Sequence, residues 1–282
     1  MSRIFFICAL ILTATGHGLA QEPLRLYDIS TRKVVTLNNI VHRLGKSRIV
    51  LVGEHHNEPD HHRAQLQIIR SLANSGIPVV VGLEMIRSDS QEALGRWVAS
   101  KISERDFQQI YRENWSFPWA LYRDIFAYAK ENKVPLVGLN VPRDITQQVA
   151  RRGFHSLAPE QKGLLPFIEC KVDPEYMEFI RRAHGAHAHG RMSFEYFCEA
   201  QLVWDKSMAI HAIEYLNSRP GFTMVLLAGT AHVWKKAIPA QLEQSSFAPY
   251  TVILPEAPGS IERSGVTLDD ADYLILGPAK AN

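Results

Sequence analysis

Four of the chain's twelve histidines and three of its acids fall within ten residues, Gly53-Glu54-His55-His56-Asn57-Glu58-Pro59-Asp60-His61-His62. Such a run suits metal ligation, anion binding, proton transfer, or the polar rim of a cofactor pocket. It directly follows the apolar run Ile49-Val50-Leu51-Val52, which reads as a buried strand. In α/β proteins ligands bind beyond the carboxyl ends of such strands. Three further strand-like runs end in the same manner, at Gly82-Leu83-Glu84-Met85, Gly138-Leu139-Asn140-Val141-Pro142-Arg143 and Ala228-Gly229-Thr230-Ala231-His232. A parallel sheet brings those ends to one rim, so Glu54, His56, Glu84, Arg143 and His232 are expected to converge. Their glycines are expected to turn the backbone tightly, through their tolerance of positive φ. Two chemistries fit that convergence. A carboxylate, Glu54 or Glu84, acts as general base on a water while His56 and His232 hold a metal or take the proton. Alternatively, an ion-paired network closes the sheet edge, with Arg143 neutralising Glu54 or Glu84.

The elements that must position these residues alternate along the chain. A hairpin is expected over Leu24 to Leu37, turning near Ser30-Thr31, then a small helix at Asn39–Leu44. Buried strands follow at 48–53, 78–85, 135–140, 223–228 and 250–254, with a last short one at 273–276. Helical spacing marks 60–73, where Ala64, Gln65, Ile68 and Leu72 share a stripe, and also 90–100, 104–113, 119–132 and 143–151. Two long helical patterns, 174–184 and 193–217, come after a proline-punctuated stretch near 157–166. Buried strands separated by helices predict an α/β fold, a mainly parallel central sheet with helices on both faces. The strandless segment from about 157 to 217 is expected to form a helical insertion subdomain over the ligand edge. Its helix from Ser193 carries Phe194, Phe197, Cys198, Gln201, Asp205, Met208 and Ala212 on one stripe. Gln201 and Asp205 then need buried partners, the strand-end histidines or Arg143.

Composition bounds the rest. Hydrophobic residues make up 46% and charged ones 21%, ordinary values for a globular domain. Residues 1–20 have the form of a secretory signal: Arg3, the apolar core Ile4 to Leu12, then Gly18-Leu19-Ala20. The mature domain is expected to span 21–282, periplasmic or peripherally associated with the outer membrane. The formal net charge is +2, one less once Arg3 departs with the signal, which offers nothing to a nucleic acid. Without Cys8, which also leaves, Cys170 and Cys198 remain. An oxidising compartment allows them to pair, though such residues are more often simply buried.

Five blocks, 52–57, 61–65, 82–85, 201–209 and 227–233, come in an order that resembles the ChaN-like haem-binding proteins, relatives of the TraB/Tiki and erythromycin-esterase group. The likeness runs from about Arg25 to Leu254. The family's Glu-x-His after the glycine falls on Glu54, His55 and His56, while Asn57-Glu58 stand where the family often has Asp-Asn. The resemblance implies haem binding in bacterial iron acquisition, with two haems stacked between the subunits of a homodimer. It also implies a tyrosine on the iron, a histidine of the partner subunit near the propionates, and exchange with an outer-membrane receptor or periplasmic carrier. Tyrosinate suits ferric haem. The segment that could supply it holds Tyr176 and Tyr196, flanking His184-Gly185-Ala186-His187-Ala188-His189. Tyr196 and Tyr176 are equal candidates for the iron, with His184, His187, His189 and Arg143 beside them as cofactor-binding residues. The histidine run also fits a solvated loop, or zinc or copper binding through alternate residues. The remaining tyrosines read as core residues with satisfied hydroxyls. The rival function is a metal-dependent peptidase or esterase using Glu54, His56, Glu84 and His232, although neither His-Glu-x-x-His nor Gly-x-Ser-x-Gly occurs. Glu54 and His56 are expected to face inward as the polar floor of the crevice, while His61 and His62 merely begin the following helix.

Overall fold

The computed structural model describes residues 23–165, 169–184, 193–259 and 261–277. The chain opens with an antiparallel hairpin, β1 (Arg25–Asp28) and β2 (Lys33–Thr36), followed by α1 (Leu37–Leu44). Then come β3 (Ile49–Glu54), α2 (Pro59–Asn74), β4 (Val79–Arg87), α3 (Gln91–Val98), α4 (Glu104–Asn114), α5 (Trp119–Asn132) and β5 (Leu136–Asn140). Between β5 and the next strand the described chain is helical: α6 (Arg143–Arg152), α7 (Pro159–Gly163), α8 (Pro174–His184) and α9 (Phe194–Ser218). It closes with β6 (Thr223–Gly229), α10 (Thr230–Val233), α11 (Ile238–Gln244), β7 (Tyr250–Pro255) and β8 (Tyr273–Ile275).

The eight strands form one sheet in the order β2-β1-β8-β7-β3-β6-β4-β5. The six from β8 to β5 pair in parallel, and the β1–β2 hairpin adds antiparallel at one edge. This is the expected α/β architecture. Alternation along each strand splits the core in two. Val50, Val52, Val81 and Leu227 pack beneath α1 to α5, while Ile49, Leu51, Val80, Leu226 and Leu254 pack beneath α9 and α11. Each such side chain contributes about 1.5–3 kcal/mol by leaving water, so a strand covered on both faces needs no polar residue until its end.

Register then places the chemistry. β6 lies between β3 and β4, with Glu54 level with Gly229 and Leu83 level with Leu227. Glu54 and Glu84 therefore flank one strand end. None of Gly53, Gly82, Gly138 or Gly229 has positive φ, contrary to the turning role expected of them. What they provide is the absence of a Cβ. At Gly138 a Cβ would lie 2.3 Å from the Arg87 carbonyl oxygen, where β4 shifts register against β5 between Leu83 and Arg87. At Gly229 it would lie 2.9 Å from the His56 ring.

Candidate functional site

Glu54 ends β3 fully inside the protein, and four side chains converge on its carboxylate. His56 Nδ1 lies 2.7 Å from Oε1, and Gln65 of α2 donates to Oε2 at 2.8 Å. The Tyr122 hydroxyl of α5 donates to Oε1, and His62 Nδ1 sits 3.3 Å from Oε2. Burial alone would raise the pKa of Glu54. The hydrogen bonds and charges of His56 and His62 outweigh it, and the carboxyl stays ionised well below the usual range. His62 faces acceptors through both nitrogens, since its Nε2 also donates to the His56 carbonyl at 3.2 Å. Only an imidazolium donates twice. Its pKa is correspondingly raised, against the pull of burial, by Glu54. The pKa of Tyr122 is raised as well, by burial and by Glu54, which holds its phenol neutral.

A second carboxylate–imidazole assembly lies across Gly229. His232, on the single turn of α10, has Nδ1 2.6 Å from Asp205 of α9, and its Nε2 is 3.7 Å from Glu84 Oε1. Burial would lower its pKa, but Asp205 and Glu84 raise it to about 9. The other oxygen of Asp205 accepts from the Tyr176 hydroxyl at 2.6 Å, and Glu84 Oε2 accepts from the Gly229 backbone N–H at 2.6 Å. His56 faces this assembly, its ring packed against Trp115 and Phe117 at centroid distances of 5.0 and 4.9 Å. Burial lowers its pKa less than the Glu54 hydrogen bond and the Glu84 charge raise it. Trp204 stands edge-on to His232 at 5.9 Å.

Glu54, His56, Glu84 and His232 are thus brought together as expected, and Asp205 finds its histidine. Arg143 is not among them. It is exposed in the first turn of α6, whose buried side is Ile145, Thr146 and Val149, so Val141-Pro142 carry the chain past the rim before the guanidinium appears. Imidazoles, not Arg143, neutralise the two glutamates. His62 does more than begin a helix. It shares the inward face of α2 with Gln65, three residues on, and both reach Glu54. That i, i+3 pairing, one polar residue on each position of an otherwise apolar stripe, was the available signal. His61 is half-buried and does not reach Glu54; it accepts the His55 backbone N–H at 2.9 Å, and its pKa is pushed down to about 4 by burial and by His55. Gln201 is buried with its Oε1 unpartnered among the described residues. Nor do any three His, Cys, Asp or Glu side chains of the described residues form a group that could hold a metal ion, so the rival reading, a metal-dependent hydrolase, has no ligand set among the described residues.

The helical segment separates the two tyrosines. Tyr176 is buried, with its proton committed to Asp205 and its pKa raised by burial and that carboxylate. Tyr196, in the first turn of α9, is half-buried, and its hydroxyl has no hydrogen bond among the described residues. Its ring lies 5.9 Å from that of exposed His155, which the sequence did not single out. Gly153 permits the approach: its φ is +81°, and a Cβ there would stand 2.8 Å from both rings. His187 and His189 lie outside the described residues, as does the side chain of His184 at the end of α8. A cleft of about 600 Å³ borders the rim at His55 and Thr230; Phe179, Trp234 and Arg182 line it. Cys170 and Cys198 are free thiols, and burial pushes them up to about 12 and about 11.

A family model described as haem-binding uptake, Tiki superfamily, ChaN, matches residues 40–242. Among solved structures, ChaN of Campylobacter jejuni, described as binding haem cofacially, superposes with a TM-score of 0.69 at 20% identity. That match covers 90% of this chain and 96% of that one. A mutant erythromycin esterase in its open conformation gives a TM-score of 0.49 at 16% identity, over 90% of this chain and 82% of its own. No curated protein matches the sequence.

Proposed function

The chain belongs to the ChaN family of haem-binding uptake proteins in the Tiki superfamily, and from that premise we propose that Tyr196 is its haem-iron ligand, at an interface between two copies of the chain. Haem is the ligand of this family. The hydroxyl of Tyr196, uncommitted among the described residues, carries the choice of ligand. An axial phenolate must lose its proton and reach the iron from outside the fold; Tyr176 is sealed and donates to a buried carboxylate, whereas Tyr196 is half-exposed and donates to nothing described. His155, beside it, offers an imidazole within the same patch. Bound there, haem supplies ferric iron, which a single anionic phenolate holds in its oxidised state.

Haem is a flat apolar ring with two carboxylates; the cleft of about 600 Å³ lined by Phe179, Trp234 and Arg182 does not have Tyr196 in its lining, so the proposed site rests on Tyr196 and His155 themselves. A half-exposed ligand on the protein's outside is also what a shared, two-subunit site requires. The biological reading follows: export to the periplasm or the outer-membrane surface, and exchange of haem with an outer-membrane receptor or a periplasmic carrier. Hemin titration followed by absorbance and by sedimentation tests both parts. A Soret band with tyrosinate charge-transfer features and a doubled mass are expected. No Soret change sinks haem binding, loading without doubling sinks the interface, and normal spectra in Tyr196→Phe sink the ligand.

A further inference from the structure

Apart from the rim and from Tyr196, the start of α8 meets α9 and α11 around a smaller hollow, of about 190 Å³. Three lysines border it: Lys171 ahead of α8, Lys206 on α9, and Lys236 ahead of α11. The two acids of its lining are already engaged. Glu175 pairs with Lys236, and Asp173 accepts the Tyr176 backbone N–H at 2.8 Å, in the manner of a helix cap. Lys206 commits one donor to the Glu169 carbonyl at 2.6 Å, which leaves two of its three. Lys171 is exposed and has neither a hydrogen bond nor an ion pair among the described residues. Three lysines against two carboxylates leave the lining net positive, and the first turn of α8 adds its own partial positive charge.

Gln241 supplies an independent observation. It lines the hollow and is only 6% exposed, yet its side-chain amide makes no hydrogen bond among the described residues. A buried amide needs a partner, and the hollow beside it is where one can sit. Size and donor type then select the ligand. At about 190 Å³ the hollow falls below the ~300 Å³ at which small-molecule sites begin, so it suits an ion-sized group and not a haem. Among the described residues no arginine lines it. Ammonium groups act as point charges that close on a tetrahedral oxyanion from separate sides, without the planar fork through which arginine grips a carboxylate.

We propose that this hollow binds a phosphate group, as inorganic phosphate or as a terminal phosphomonoester, held by Lys171, Lys206 and the Gln241 amide beside the Lys236–Glu175 pair. Such a group is close to a dianion at neutral pH and offers three strong acceptor oxygens, enough to answer each of these donors. Nothing in the site depends on Tyr196, so haem binding and phosphate binding stand or fall separately.

Titration calorimetry of the purified full chain with inorganic phosphate, in buffer free of other oxyanions, should show one saturable site. Lys206→Gln and Gln241→Leu should each weaken it about 10-fold or more, the usual weight of one hydrogen bond to a charged group. Lys33→Gln, which removes an exposed lysine of β2, should bind as the wild type does. Absence of a saturable site overturns the proposal, as does an equal loss in Lys33→Gln and Lys206→Gln. A second measurement needs no variant: saturating phosphate should shift the Gln241 side-chain amide resonances of the wild type, and unmoved resonances overturn the site as well. Vesicles of phosphatidylcholine, with and without phosphatidic acid, then separate the two sources of the group. Co-sedimentation that needs phosphatidic acid and is lost in Lys206→Gln assigns the site to a lipid headgroup. No co-sedimentation, or equal co-sedimentation of both proteins, assigns it to a free phosphate.

Discussion

Glu54 and Tyr196 occupy opposite conditions within one chain. The Glu54 carboxylate ends a central strand and is held by Gln65, His56, His62 and Tyr122. The Tyr196 phenol sits in the first turn of a helix, half-buried, with no hydrogen-bond partner among the described residues. Tyr176 lies in the same helical segment as Tyr196, yet through Asp205 and His232 it belongs to the rim. A dense polar cluster at a strand end is therefore first a demand for compensation: every charge there must be answered, and the answered groups are poorly placed to exchange a large cargo. A group meant to bind and release has to be left uncommitted.

The sharpest way to break that contrast is Glu54→Ala. It strips the acceptor from a buried imidazolium and a buried phenol, and should cost about 3–5 kcal/mol in urea unfolding, the usual cost of orphaning one side of a buried pair. A loss below ~1 kcal/mol would mean that the rim is not holding the sheet edge. Tyr196→Phe should instead leave stability within ~0.5 kcal/mol and weaken hemin binding beyond the ~10–100-fold typical of losing a supporting partner. Tyr176→Phe should bind hemin as the wild type does. The reverse ranking would exchange the two tyrosines.

Asp205→Asn tests the bridge between the regions. His232 should titrate well below about 9 in a ring-proton NMR titration, with ~1–3 kcal/mol of stability lost as buried donors lose a charged acceptor. The pH profile gives a smaller effect with a definite sign. The pKa of His232 is raised from 6.5 to about 9 in the folded state, so its contribution is complete below about 6.5 and fades as pH rises through about 9. His56 and His62 are raised too and act in the same direction. The thermal midpoint should therefore fall from pH 6.5 to 9, and His232→Gln should flatten the slope; a midpoint that rises over that range would reverse the assignment. Smallest of all, Cys170→Ser should change stability by less than ~1 kcal/mol. A thiol pushed up to about 12 should resist thiol reagents until the protein unfolds.

Periodicity alone located the strands at 48–53, 78–85, 135–140, 223–228 and 250–254 within a residue or two, because strands covered on both faces are continuously apolar and stop where polarity returns. It overlooked α11, whose seven residues are too short to display a helical period. At the rim, Glu54, His56, Glu84 and His232 were legible because parallel register brings strand ends together. Arg143 was misplaced for the same reason: that rule follows the strand and says nothing about where the chain goes after Pro142. Tyr122 and His62 looked like core and helix-start residues, and both descriptions are correct as far as they go. Their reach to Glu54 depends on how α5 and α2 lie across the sheet, which no local pattern encodes.

By itself, the sequence determined the α/β fold class, the family, and the set of residues able to carry charge at the sheet's edge, since each follows from local composition, spacing and order. Only the tertiary structure decided which of those charges answer one another and which tyrosine has a hydroxyl without a hydrogen bond among the described residues. Partnership at 2.6 or 2.7 Å is set by crossing angles and register between elements as much as 176 residues apart, as the Thr230 hydroxyl on the Glu54 carbonyl shows. Hydrogen-bond strength falls away within tenths of an ångström of that distance. A sequence can nominate such partners, but only the packed fold commits them.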